Sequence, residues 1–196
     1  MKNKHLEELL YRAEMVKQDV RDEFSNLTAF QLNWKPNAET WSIGQCLDHI
    51  MVADRTYFPP VEAILEGNYS RPFWSLIPGK SKVWGKLLIS MLKDTNRKLP
   101  TVEVFFPTES KVGEAIVDQF MLHEDLVIQY LQRMDTVDNG KYYVKSPVSN
   151  YITYSVRDLA EIMLLHQERH FKQAKRLMSL EKFPKADKLS RSDEEE

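Results

Sequence analysis

The 196-residue sequence contains one cysteine, Cys46. A disulfide framework within the chain and a cysteine-based zinc cluster are both excluded, and this usage fits a reducing compartment. Six glycines and nine prolines are too few for a low-complexity or collagen-like chain. Neither sign of charge is in excess. Lys and Arg number 27 against 29 Asp and Glu, a formal net charge of -2, without the basic surplus of a dedicated nucleic-acid binder. Long hydrophobic runs are missing too. Stretches such as Leu87-Leu88-Ile89 and Ile162-Met163-Leu164-Leu165 fall short of the about 20 residues a bilayer span needs. The opening Met1-Lys2-Asn3-Lys4-His5-Leu6-Glu7-Glu8 carries charge where a signal peptide needs apolar residues. The expectation is a cytoplasmic protein with neither a membrane nor a nucleic-acid partner.

What is present is helical periodicity. Leu6, Leu9, Leu10, Ala13, Val16, Val20 and Phe24 follow i, i+3, i+4, i+7 spacing, which predicts a first helix over 3–24. A second begins at Ser42, where Gln45 three places on completes a capping box. Ile43, Cys46, Leu47, Ile50, Ala53 and Tyr57 mark its apolar face, and Pro59-Pro60 interrupts it before it resumes toward Glu66. A third is predicted over 111–134, with Ile116, Phe120, His123, Val127, Leu131 and Met134 on one face. A fourth starts at Ser155, with Asp158 as its capping partner, and runs to about Leu180. Residues 67–108, punctuated by Pro72, Pro78-Gly79, Pro100 and Pro107, read as a crossover or insertion holding a short helix over 82–93. Tyr142-Tyr143-Val144 reads as loop, because a lone strand has no visible partner. The expected architecture is all-α: one bundle domain over 1–180 and a charged, mobile tail over 181–196.

The histidines carry the chemistry. His166 and His170 fall within the apolar stripe of the fourth helix, spaced i, i+4. Their Cβ atoms then lie about 6 Å apart on one face, and a single metal with bonds of about 2.1 Å can be gripped by both. His49, on the edge of the second helix's apolar stripe, can point into the bundle toward them. Three imidazoles from two helices leave coordination positions open for water or substrate. The plainer alternative is a set of hydrogen-bonded packing histidines. His123 reads as a core or pocket residue, His5 as solvated and Cys46 as a small buried hydrophobe.

Two motifs add a resemblance. Asn33-Trp34-Lys35-Pro36 followed by Glu39-Thr40-Trp41-Ser42-Ile43-Gly44-Gln45, with His49 just after, resembles the second-helix signature of the DinB/YfiT-like family. His166-Gln167-Glu168-Arg169-His170, with Gln173 one turn on, resembles its fourth-helix signature. The resemblance implies a four-helix bundle of up-down-down-up topology. It also implies a divalent transition metal (nickel, zinc, manganese or iron) on three histidines, here His49, His166 and His170. Relatives of this kind include thiol-dependent S-transferases and metal-dependent hydrolases, which suggests a small-molecule substrate, a low-molecular-weight thiol among them, in stress response or detoxification.

No general base is evident. A zinc metalloprotease helix needs glutamate directly after the first histidine, and that place holds Gln167. Glu168 points about 160° from the centre of the histidine stripe. A Gly-x-Ser-x-Gly elbow and a Gly-rich phosphate loop are lacking. The alternatives to a metalloenzyme are a non-catalytic metal- or small-ligand-binding module and a purely structural bundle. A second apolar strip on the fourth helix, Ala160, Leu164, Phe171 and Met178, suggests a homodimer face.

Overall fold

Helical period and capping residues resolve into named elements in a computed structural model, which describes residues 3–94, 100–108 and 111–185. The helices are α1 (Lys4–Phe24), α2 (Ala29–Asn33), α3 (Ile43–Arg55), α4 (Phe58–Leu65), α5 (Lys80–Lys93), α6 (Ile116–Met134) and α7 (Val156–Met178), with strands β1 (Tyr143–Ser146) and β2 (Ser149–Ser155) before the last. Short 3-10 turns occupy Phe73–Leu76 and Glu103–Phe105. No described helix is long and apolar enough to cross a membrane.

The helix starts follow the capping chemistry. The Ser42 side chain accepts from the Gln45 N–H, and the Gln45 side chain returns to the Ser42 N–H. Ser155 accepts from Asp158 N–H at 3.0 Å. Each cap satisfies N–H groups that a helix start leaves open, worth about 1 kcal/mol. After Arg55 the chain turns and restarts as α4 with its prolines in the first turn, where a missing N–H costs nothing.

Cross-helix pairs fix the directions. Asn3 N–H donates to Asp135 and Lys17 pairs with Asp125, so α1 and α6 are antiparallel. Arg12 reaches Glu161 and Glu168, and Glu23 pairs with Lys175, so α1 and α7 are parallel. Asp54 meets His123 and Glu62 meets Arg133, so the α3–α4 limb runs parallel to α6. The bundle is therefore up-down-down-up in the order α1, α3, α6, α7. Each of α1 and α3 packs against both α6 and α7. Two consecutive parallel helices need a return path the length of the bundle, and residues 67–108 supply it. α5 of that crossover packs on α7 and β2. Gly85 permits its close approach, because a Cβ there would run into the Asp158 carboxylate.

Four sequence expectations are corrected. Tyr143 and Val144 are strand, pairing antiparallel with Ser155 and Tyr154. The partner was hidden against the helix start, where Tyr151-Ile152-Thr153-Tyr154 carries the β-branched and aromatic residues of a strand. The third helix begins at Ile116, not Lys111. Val112 N–H and C=O are both taken by the Asn33 amide, so they cannot join a helical ladder. Of the strip that suggested a homodimer face, Ala160, Leu164 and Phe171 are buried within the chain, with α1, α3 and α5 all packed on α7, and Met178 is half-buried. The expected tail starts packed: Phe183 is buried edge-on against Trp34, and Pro184 C=O accepts from Gln31. Residues 186–196 lie outside the described residues.

The interior is not uniformly apolar. One cluster gathers Leu6, Leu9, Val127, Leu131, Tyr154 and Leu159. Another gathers Val20, Phe24, Ile43, Ile50, Phe120 and Phe171. The boundary between them falls at Asp54, His123, Glu124 and Gln167, all buried. A polar layer thus crosses the bundle at mid-height.

Candidate metal centre

His49 lies on α3, and His166 and His170 lie one turn apart on α7, which runs antiparallel to α3. One ring nitrogen from each falls within 4.8 Å of the others. The ring centroids are 4.8 Å apart for His49–His166, 4.4 Å for His49–His170 and 4.5 Å for His166–His170. His49 Nε2 is 3.0 Å from His166 Nε2. The three residues named from the sequence are therefore brought together. His49 and His170 are buried, and His166 is half-buried.

The second nitrogen of His49 fixes its tautomer. Nδ1 lies 2.5 Å from the Phe105 carbonyl. A carbonyl only accepts, so Nδ1 carries the proton and Nε2 presents a lone pair toward His166. Phe105 is itself held. Asp48, next to His49, accepts from Thr108 N–H at 2.6 Å and Thr108 Oγ1 at 2.8 Å, which straps the 3-10 turn against α3. Trp41, just before the α3 cap, packs its ring 4.5 Å from His49 and 5.9 Å from His170.

The electrostatics favour neutral rings. Removal from water holds His166 well below the usual imidazole range, reinforced by His170, His49 and Arg169. Burial, with His49 and Arg169, brings His170 down to about 3. His49 is also lowered by burial, against the opposing pull of the Phe105 carbonyl, Asp54 and Asp48. Neutral imidazoles are what a cation requires of its ligands. His170 Nδ1 is buried without a hydrogen-bond partner, and an open ring nitrogen in such a cluster fits a bound cation. Three imidazoles suit a divalent transition metal.

The model of the DinB superfamily matches residues 12–174. The chain belongs to the DinB superfamily. No curated protein and no solved structure matches it. The helical fold and the up-down-down-up order agree with the expectation from the two motifs.

Other sequence readings fall into place around the centre. Glu168 faces away and pairs with Arg12 at 2.7 Å. Cys46 is fully buried, its thiol pushed up to about 12 by desolvation, so it stays a protonated core residue. His5 is not solvated but half-buried, 3.9 Å from Glu161. His123 is not among the three rings; it lies 3.1 Å from Asp54. Sequence reasoning missed Asp48 and Phe105. Phe105 acts through a backbone carbonyl, which leaves no signature in the side-chain pattern. Asp48 does leave one, a carboxylate beside a candidate ligand.

Proposed function

We propose that His49, His166 and His170 hold a divalent transition metal and that this DinB superfamily chain uses it in thiol transfer to a small electrophile. The observation that carries the reading is the convergence of three imidazoles on one point, with His49 Nε2 and His166 Nε2 3.0 Å apart. Two bonds of about 2.1 Å meeting near a right angle span about that distance. A divalent ion on three imidazoles supplies a Lewis acid with open positions, able to lower the pKa of a small thiol into the neutral range.

The protein's own residues supply orientation and exclusion of water. His49 keeps its Nε2 lone pair aimed at the centre because the Phe105 carbonyl takes the Nδ1 proton. Trp41 closes one side against His49 and His170. The turn that carries Phe105 also bears exposed Val102, Val104 and Phe106, an apolar rim suited to a nonpolar acceptor.

Thiol transfer is favoured over hydrolysis by the state of the nearby carboxylates. Asp48 is occupied by Thr108, Asp54 by His123 and Gln167, and Glu168 by Arg12. A hydrolase of this type gains from a free general base to take a proton from water. A small thiol starts from a pKa of about 8.5, so a metal held there would carry it below neutrality with its proton passing to solvent, whereas bound water would reach only about 7.

The test pairs metal analysis with a turnover screen. Purified protein loaded with zinc or nickel is incubated with low-molecular-weight thiols and electrophilic acceptors, and in parallel with esters. The expected result is one metal at the three histidines and thiol-dependent adduct formation. Ester cleavage without thiol consumption would replace the transferase reading with a hydrolase. Metal binding with no turnover would leave a binding module.

A further inference from the structure

The polar layer at mid-height contains a second cluster that the three-histidine centre does not use. Asp54 on α3, His123 and Glu124 on α6 and Gln167 on α7 have 1%, 2%, 0% and 0% of their surface exposed. One ligand atom each from Asp54, His123 and Glu124 lies within 4.8 Å of the others. Asp54 Oδ2 is 3.1 Å from His123 Nε2. The Gln167 amide donates to Asp54 Oδ2 at 2.8 Å and to Glu124 Oε1 at 2.9 Å, tying two carboxylates together.

The network does not close. Glu124 Oε2, Gln167 Oε1 and His123 Nδ1 are buried with no hydrogen-bond partner. A buried carboxylate oxygen without a partner is expensive, and native interiors keep few of them. The charges do not close either. Two carboxylates face one imidazole, and an imidazolium would cancel only one of them. Lys17 is turned to Asp125. An isolated charge sealed between two apolar clusters carries a large desolvation cost.

A divalent cation resolves the charge mismatch and one of the three open atoms, Glu124 Oε2. It balances two carboxylates with the imidazole neutral, and it engages the open oxygen of Glu124. The 3.1 Å between the Asp54 oxygen and the His123 nitrogen fits two bonds of about 2.1 Å at nearly a right angle. We propose that Asp54, His123 and Glu124 form a second, closed site for a divalent first-row cation, with Gln167 holding the two carboxylates in register. The donor set, two carboxylate oxygens and one imidazole, suits manganese, iron or zinc. Enclosure on every side makes it a structural site that joins α3 to α6, unlike the half-open histidine centre. Asp54 follows His49 by five residues, about 7.5 Å along the helix axis, and Gln167 is the direct neighbour of His166.

The alternative occupant is a proton, with Glu124 kept as the neutral acid. Metal stoichiometry separates the two. Full-length protein is refolded from urea with excess Zn²⁺, desalted, and its zinc counted by mass spectrometry. The expected result is two equivalents per chain, falling to one in the His166→Ala/His170→Ala variant. In that background Glu124→Gln loses the remaining equivalent, and its melting temperature no longer responds to Zn²⁺. A single equivalent in the wild type that vanishes in the double variant overturns the proposal, as does a Glu124→Gln chain that keeps it. A single equivalent that survives the double variant supports this site and removes the histidine centre instead. The wild-type and double-variant counts leave the cluster intact, so the test stands even where Glu124→Gln fails to fold.

Discussion

The two polar clusters share α3 and α7, with α6 added to the second, yet solve burial in opposite ways. His49, His166 and His170 are bases, and burial pushes them toward neutrality. A neutral ring keeps its lone pair, so enclosure prepares this cluster to ligate without leaving a charge behind. Asp54 and Glu124 are acids, and a carboxylate that stays ionised keeps its charge. Burial and the nearby Asp54 raise Glu124 well above the usual carboxylate range. The same low dielectric thus makes one cluster a set of ready ligands and the other a set of acids that must take up either a proton or a counterion. One cluster is half-open and bounded by a tryptophan and a strapped turn. The other is sealed between two apolar cores.

The largest expected effect sharpens that contrast. In His166→Ala/His170→Ala the histidine centre has lost two of three donors. Elemental analysis is expected to find no metal at this centre in the variant, in contrast to wild type, together with loss of the thermal shift on adding nickel. A ligand present at about 100 times its dissociation constant stabilises by about 2.7 kcal/mol. Full retention of metal at this centre would break the comparison from the open side.

Asp54→Ala attacks the sealed side. It strips His123 and Gln167 of a shared acceptor. Breaking a buried charged partnership typically costs about 3–5 kcal/mol, read as a lower urea midpoint. A cost within the range of a surface substitution would mean that the layer is not tightly coupled.

The strap is next in size. Asp48→Ala releases Thr108 and so loosens the Phe105 carbonyl from His49. Groups that orient a metal-binding histidine are worth about 10–100-fold in affinity. A zinc titration should show that weakening, while Asp48→Asn, which keeps an acceptor oxygen, recovers part of it. Unchanged affinity in both would divorce the crossover from the site.

The pH dependence follows from the direction of the histidine shifts. Their folded pKa values lie below the unfolded imidazole value of about 6.5. Between the two, the unfolded chain binds more protons, so stability rises with pH. For metal-free protein, stability should be full above about pH 6.5 and fall as pH drops, with His170 contributing down to about 3. Each net proton is worth up to about 1.4 kcal/mol per pH unit. Urea melts at several pH values provide the check, and stability that rises on acidification toward pH 5 would contradict it.

The smallest effect concerns packing. Gly85→Ala drives a methyl group into Asp158 where α5 meets α7, and overpacking of this kind costs about 1–3 kcal/mol. Both metal counts should be unchanged in that variant.

Much of this was legible in the sequence because it rests on local pattern. The Ser42 and Ser155 caps, the apolar stripes and the i, i+4 histidines each express one helix, and each appears where the spacing predicts. His49 was legible as a candidate third ligand because it shares its helix with a motif. The β-hairpin was not, because β2 runs directly into the α7 cap and its pairing register depends on a tertiary partner. Phe105 was not, because a carbonyl has no residue type. The sealed cluster was only half visible. His123 stood out on its apolar stripe, but Glu124 and Gln167 look like ordinary solvent-facing helix residues until two further helices cover them. Asp54 likewise reads as surface until α6 and α7 close over it.

The central claim is convergence of three imidazoles on one cation. Anomalous scattering from crystals of zinc-loaded protein tests it most directly. A peak about 2.1 Å from a ring nitrogen of each of His49, His166 and His170 is the result the account predicts. A map with no peak between those rings, in protein that has taken up zinc, would contradict it.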